Sequence, residues 1–291
     1  MEKKIATLAL FAILLLSISS VLTATTRAAT EEEIEQAIED GITWLVAQQD
    51  PIDGSWPEFW EYVATTGLAV LKLEIYAYEL GYDSPFDPDY VYHQNVENGL
   101  NYLFGSSRML TADITLQDHT AGATGTIDDP DSNNNGLGVY AHGYTYPFDC
   151  YDTGIVLSAI SASGTPDRIV NVPGSVVNGW KYIDVAQDMA DWLAWGQADL
   201  GVGQGGWEYK ATDNGAGKWP EDPNAVSGYG PDNSNSGYAV LGLAYAQEFG
   251  CTVPQWVKTE LNAYIGNIQD PVDGDPNDGG SWYTAYSTAI G

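Results

Sequence analysis

Basic residues are scarce in this chain: ten Lys and Arg stand against forty Asp and Glu over 291 residues, a formal net charge of −30. Nucleic acid and anionic membrane surfaces are therefore excluded as partners by plain electrostatics. The acidity suits a salty medium, bound divalent cations or a cationic partner. Long hydrophobic runs are also lacking beyond the first segment, so no later stretch approaches the ~18 consecutive apolar residues of a membrane span. The chain has two cysteines and three histidines, His93, His119 and His142. No Ser-His-Asp order, thioester Cys-Gly-Glu-Gln, Walker loop or dinucleotide fingerprint is present, which removes the commonest nucleophilic and nucleotide-dependent chemistries.

What is present begins with a leader. MEKK, an apolar run from Ile5 to about Leu16 and the small polar stretch SISSVLTATT have the charged start, hydrophobic centre and small-residue exit of a secretory signal. We expect a signal peptide over 1–24, with cleavage between 20 and 30, and a secreted or cell-surface product. Aromatic residues make up 12% of the chain, ten of them Trp. That supply of large apolar side chains is enough to offset the ordering entropy and predicts a folded domain despite the charge.

Internal repetition is the strongest signal. The segments GITWLVAQQDPIDGSW (41–56), MADWLAWGQADLGVGQGGW (189–207) and LNAYIGNIQDPVDGDPNDGGSW (261–282) share one pattern. Each has an aromatic followed by an aliphatic residue (Trp44-Leu45, Trp192-Leu193, Tyr264-Ile265) and a Gln four positions on (Gln49, Gln197, Gln269). Each then closes with Gly-x-Trp at Trp56, Trp207 and Trp282. A weaker copy at 99–107 keeps Tyr102-Leu103, has Ser107 in place of Gln, and finds its Gly-x-aromatic at Gly138-Val139-Tyr140.

After each copy comes a segment that opens with Ser or Thr before Gly and is apolar on nearly every face: ATTGLAVLKLEIYAYELG, YDTGIVLSAISASG and SNSGYAVLGLAYAQEFG. Helices of that kind are buried ones, whereas EEIEQAIEDGITWLVAQQ and YIDVAQDMADWLAWGQ are amphipathic and belong to an outer layer. The Gln is expected to bond backbone groups at the next copy's helix end while the Trp packs against it.

This pattern resembles the QW repeat of squalene and related triterpene cyclases, and the α/α toroid shared with protein prenyltransferase β subunits. The resemblance covers about residues 32–291 and implies an all-α fold, a double layer of inner and outer helices. Three full helix pairs are legible, and a fourth stops at Gly291 in the first turn of its inner helix, so the ring reads as open or as continued beyond this chain. If the inner helices run parallel, Cys150 and Cys251 lie at opposite ends and stay unbonded.

The resemblance also indicates where chemistry would sit. The cyclase segment Asp-x-Asp-Asp-Thr-Ala aligns with Asp149, Cys150, Tyr151, Asp152, Thr153 and Gly154, so the family's proton donor is replaced by Tyr151. A phenol is too weak an acid for that step. The prenyltransferase zinc position that should hold His falls on Asn235. These departures imply a protein of the repeat type that acts as a non-catalytic binding or cell-surface-associated module for an unknown ligand or surface component. Asp149, Cys150, Tyr151, Asp152 and Asn235 are the candidates to line its cavity. The alternative is a secreted enzyme, terpene cyclase-like or saccharide-degrading, with Asp149 and Asp152 as acid and base. A plainer role for these two acids is to cap the N–H groups of an inner helix.

Oxygen-rich loops suggest calcium as the one cofactor. Asp131, Asn133, Asn135 and Gly136 match the first half of a calcium loop, whose twelfth position is His142 instead of Glu, and Asp129 is a further candidate ligand just before it. Asp273, Asp275, Asn277 and Asp278 form a second acidic group. Ordinary Asp/Asn-Gly turn chemistry accounts for the same residues equally well.

Overall fold

The computed structural model describes residues 28–57, 62–143, 148–199, 203–211, 230–269 and 279–284. The chain divides into two compact units, one ending at Trp44 and the other running from Leu45 to Gly291. Helix α1 (Glu31–Ala47) crosses that boundary. Its start is a capping box: the Thr30 N–H donates to Glu33 Oε2 at 2.8 Å, and the Glu33 N–H donates back to Thr30 Oγ1 at 3.3 Å. Glu31, Glu32 and Glu33 place negative charge at the positive end of the helix dipole. Trp44, expected to pack in the first repeat, is 65% exposed.

The larger unit is mostly helical. Its elements in chain order are α2 (Tyr62–Glu79), α3 (His93–Leu103), β1 (Met109–Asp113), β2 (Gln117–Asp118), β3 (Ile127–Asp128), β4 (Leu137–Ala141), α4 (Asp149–Ala162), α5 (Tyr182–Trp195), α6 (Asn233–Phe249) and α7 (Gln255–Ile268). Helix α4 is the centre: it packs against α2 on one side and α6 on the other, with α3 resting on α2 and α5 on both α4 and α6. Every residue of α4 except Tyr151 and Ala162 is buried, as its all-round apolar sequence predicts. Full burial of Ile155, Leu157 and Ile160 contributes about 1.5–3 kcal/mol each. Helices α2 and α4 are parallel, because Gly67 meets Ile155 near their starts and the Tyr78 hydroxyl donates to Ser163 O at 2.9 Å near their ends.

Helix α6 departs from the expected burial. Its buried residues Asn235, Ala239, Gly242, Leu243 and Ala246 form a single stripe, while Leu241 on another face is exposed. The stripe is the face that meets α4, and the segment after Trp282 that would supply a further inner helix falls largely outside the described residues. Both cysteines, Cys150 and Cys251, are free and buried.

The repeat signature forms the same lock twice. Gln49 Nε2 donates to Gly54 O (2.9 Å) and to Asn95 O in α3 (3.0 Å). Gln197 Nε2 donates to Gly205 O (2.8 Å) and to Val257 O in α7 (3.0 Å). The Trp56 indole donates to Leu45 O and the Trp207 indole to Leu193 O, each at 2.7 Å. The backbone N–H of each Trp donates to a hydroxyl near the start of the helix that follows, Thr66 of α2 or Ser236 of α6, at 2.9 Å. Gly54 (φ +83°) and Gly205 (φ +84°) sit in the left-handed region, pressed on Asn98 O and Glu260 O with no room for a Cβ. In the third copy, the Trp282 N–H donates to Ile268 O at 2.7 Å and Gln269 pairs with Ser281.

The all-helical expectation needs one correction, the excursion between α3 and α4. There β1 pairs antiparallel with β4 (Met109 opposite Ala141, Asp113 opposite Leu137), and the two-residue strands β2 and β3 form a second hairpin. Such short strands among Asp, Asn and Gly carry too little alternation to stand out in the sequence. The weak repeat copy is also shifted by one residue. It is Ala141, not Tyr140, whose N–H donates to the inner-helix hydroxyl Thr153 Oγ1 (3.0 Å). Tyr140 instead stacks on Trp192 of α5, centroids 4.9 Å apart.

Close helix contact gives a paired prediction. A Cβ on Gly154 would stand 2.3 Å from Tyr238 O of α6, whereas one on Gly266 in α7 would meet nothing within 4 Å. Gly154→Ala should destabilise by roughly 2–3 kcal/mol through overpacking. Gly266→Ala should stabilise by about 0.5–1 kcal/mol through helix propensity. Chemical denaturation of the two variants against the parent checks both signs.

Candidate functional site

The segment predicted to carry chemistry opens α4. The N-cap position is Phe148, which has no side-chain oxygen to offer, and Asp149 is the first helical residue. The capping role expected of Asp149 is therefore replaced by a side-chain hydrogen bond, with Asp149 Oδ1 2.7 Å from His142 Nδ1. Burial raises the Asp149 pKa, and His142 and Lys210 act against that rise. Asp152 lies fully buried one turn on. The Tyr151 ring meets Tyr238 of α6 edge-on at 4.3 Å.

The 207–211 segment joins this helix start to that of α6. The Cys150 N–H donates to Tyr209 O at 3.0 Å, and the Phe148 and Tyr209 rings lie 4.8 Å apart. The Tyr209 side chain also hydrogen-bonds with Asn235. Asp232 caps α6, accepting the Asn235 N–H at 2.8 Å, Asn235 Nδ2 at 2.9 Å and the Ser234 hydroxyl at 2.8 Å. Asn235 is thus part of its own helix cap. Glu208 is buried beside Asp232, and burial first, then that neighbouring acid, push its pKa to about 7. Burial, Asp149 and Glu208 hold the Cys150 thiol well above its ordinary pKa, so it is no thiolate nucleophile at neutral pH.

The fold therefore brings Asp149, Cys150 and Asn235 into one network through Tyr209, and adds His142, Glu208, Lys210 and Asp232. Sequence reading missed those four. His142 was weighed only as a calcium-loop position, and Glu208 follows Trp207 where the first repeat has Pro57, so repetition does not mark it. Chemically the network holds one carboxyl poised to carry a proton at neutral pH and one carboxylate paired to a histidine.

Two further polar groups lie elsewhere. His119 is fully buried, with Nε2 2.9 Å from Asp199 Oδ1 and Nδ1 3.4 Å from Asp128 Oδ2. Burial pulls its pKa down, but Asp199, Glu260 and Asp128 outweigh this and raise it. Glu260 of α7 accepts the Ala123 and Thr124 N–H groups at 3.2 and 2.7 Å, so this cluster fastens the β2–β3 hairpin to the helices. In the candidate calcium loop, Asp129 Oδ1 accepts the Asp131 N–H (3.0 Å), while Asp131 accepts from the Asn135 and Gly136 N–H groups (3.2 and 2.7 Å). Asn133 and Asn135 both reach Asp188 of α5. Asp273, Asp275, Asn277 and Asp278 lie outside the described residues. Comparison with models of known protein families, with curated proteins and with solved structures finds no match to this chain.

The raised carboxyls set a pH dependence. A carboxyl with a folded pKa above its unfolded value favours the folded state fully below the unfolded pKa, and that contribution is lost as pH rises through the folded pKa. Burial pushes the carboxyls of Glu208 and Asp191 from the ordinary carboxylate range up to about 7. In chelator and at constant ionic strength, the melting midpoint should therefore climb as pH falls from 7.5 to 5. Glu208→Gln should flatten part of that climb; an unchanged slope would remove Glu208 from the account.

Proposed function

We propose that this chain is an exported repeat protein of the prenyltransferase/squalene-cyclase type, an α/α toroid serving as a non-catalytic binding or cell-surface-associated module. The observation that carries the reading is the engagement of the helix-start residues. Asp149 is held by His142, Asn235 is taken into the Asp232 cap, and Asp152 is fully buried. The position that resembles the cyclase proton donor is Tyr151, whose phenol packs on Tyr238. The duplicated Gln, Gly and Trp lock supports the repeat architecture, since it ties each loop to the next outer helix without calling on catalysis.

A second reading is favoured by Glu208. A carboxyl near pKa 7 suits general acid work, and Asp149 is the second carboxylate that acts on the same Cys150. In that reading the protein is a secreted saccharide-degrading or terpene cyclase-like enzyme, with Glu208 joining Asp149 in the acid and base roles expected of Asp149 and Asp152.

Assays of the full chain with squalene, with farnesyl diphosphate plus a thiol acceptor peptide, and with a panel of polysaccharides decide between the two. The module reading expects no turnover above a protein-free blank. Turnover that Asp149→Asn or Glu208→Gln abolishes would establish the enzyme.

A further inference from the structure

The loop at 131–137 keeps the spacing of a calcium loop but has His142 where the closing acid belongs. The fold brings an acid to it from a distant helix. Asp188 of α5, 53 to 55 residues along the chain, lies fully buried beneath the loop. Its Oδ1 accepts from Asn133 Nδ2 at 2.5 Å, and Asn135 Nδ2 lies 3.0 and 2.9 Å from its two oxygens. Asp191, one turn further on, is fully buried too. Its Oδ1 accepts from Gln187 at 2.9 Å; Ser132 of the loop approaches the carboxylate, but no donor reaches Oδ2 with hydrogen-bond geometry. A buried carboxylate oxygen thus faces the loop unsatisfied, a costly arrangement without a ligand. The charged neighbours that act on this pair are acids as well, Asp131 and Asp184 on Asp188 and Asp188 on Asp191.

We propose that the 131–137 loop and Asp188 form a calcium-binding site. Asp131, Asn133 and Asn135 supply side-chain oxygens from the first, third and fifth places, and Gly136, at φ +77°, makes the turn at the sixth. The main-chain carbonyl of Leu137 stands at the seventh place. Asp188 provides the acid that the twelfth place lacks, with Asp191 behind it as a second carboxylate. The asparagine oxygens already turn into the loop, Asn133 Oδ1 accepting the Asn135 N–H at 3.1 Å and Asn135 Oδ1 the Leu137 N–H at 2.7 Å, while their N–H groups hold Asp188 in place. Asp129 is left out, because it precedes the first place of the loop and makes no contact with Asp188. Amide and carbonyl oxygens dominate this set, and among the described residues no three His, Cys, Asp or Glu converge as a metal cage. An oxygen-only, partly solvent-open set suits calcium better than magnesium, which demands rigid octahedral geometry. With few charged ligands the dissociation constant should be on the order of 10⁻⁴ to 10⁻³ M.

The test uses the full chain, freed of metal with chelator and measured by calorimetric titration, by melting against sodium chloride of matched ionic strength, and by terbium luminescence excited through Trp192 on the same helix. Asp188→Asn should weaken calcium binding at this site at least tenfold, and remove the calcium-specific part of the melting shift and the Trp192-sensitised terbium signal. Asp129→Asn should leave all three unchanged. Should Asp188→Asn fail to fold, Asn135→Ala, at an exposed loop residue, carries the same expectation. Equal calcium and terbium responses in the parent and in the folded variant overturn the proposal. So does a calcium shift no larger than that of matched salt.

Discussion

One hydrogen-bonded device organises the helical unit: a glutamine amide that bonds the carbonyl of a left-handed glycine and a carbonyl in the first turn of the next outer helix. Gln49 and Gln197 do this with nearly identical distances. The glycine is required because its Cα faces the next helix at a distance where a side chain cannot fit. The tryptophan closes the device from below, its indole N–H returning to the end of the preceding outer helix. Its main-chain N–H, in turn, is held by a hydroxyl near the start of the helix that follows. The loop, the helix before it and the helix after it are thereby fixed by one glutamine, one glycine and one tryptophan, with one partner from the next repeat. In the first copy the glutamine oxygen is satisfied as well, Asn95 Nδ2 donating to Gln49 Oε1 at 2.6 Å, whereas the Gln197 oxygen is buried without a donor, so the bonds of its amide N–H group offset that desolvation cost.

Acidity is handled differently in different places. On α1 the acids sit at a helix start, where the dipole favours them. At the starts of α4 and α6 they are buried, and two of them hold polar partners: His142 for Asp149, three donors for Asp232. His119 serves Asp128 and Asp199 in the same way. Glu208, Asp188 and Asp191 lack a basic partner among the influences acting on them, and burial leaves all three above the usual carboxylate range. The chain has too few Lys and Arg to neutralise them, so protons or metal ions must take that part.

How legible the molecule is depends on the reach of the interaction. Gln197 and Trp207 could be read as a pair because they recur at fixed spacing and act within one loop. The buried inner helix α4 could be read from its apolar sequence, which leaves no polar face to point at water. The β1–β4 hairpin could not be read, because five-residue strands separated by a 23-residue connection have no short turn to announce them. Ala141 hides the repeat frame of the same region, since the lock there uses only its main-chain N–H and so leaves the side chain free to vary.

By itself the sequence determined the helical character of the chain, the recurring Gln, Gly and Trp spacing and the full burial of α4, because these follow from periodicity and composition within a few turns of chain. Only the tertiary structure decided which acids share a site. Asp149 with His142, Glu208 with Asp232, and Asp131 with Asp188 are joined across loops and layers. Their meeting depends on how α4, α5 and α6 pack, an arrangement set by close-contact glycines and buried apolar volume, and no residue in the acidic groups themselves records it.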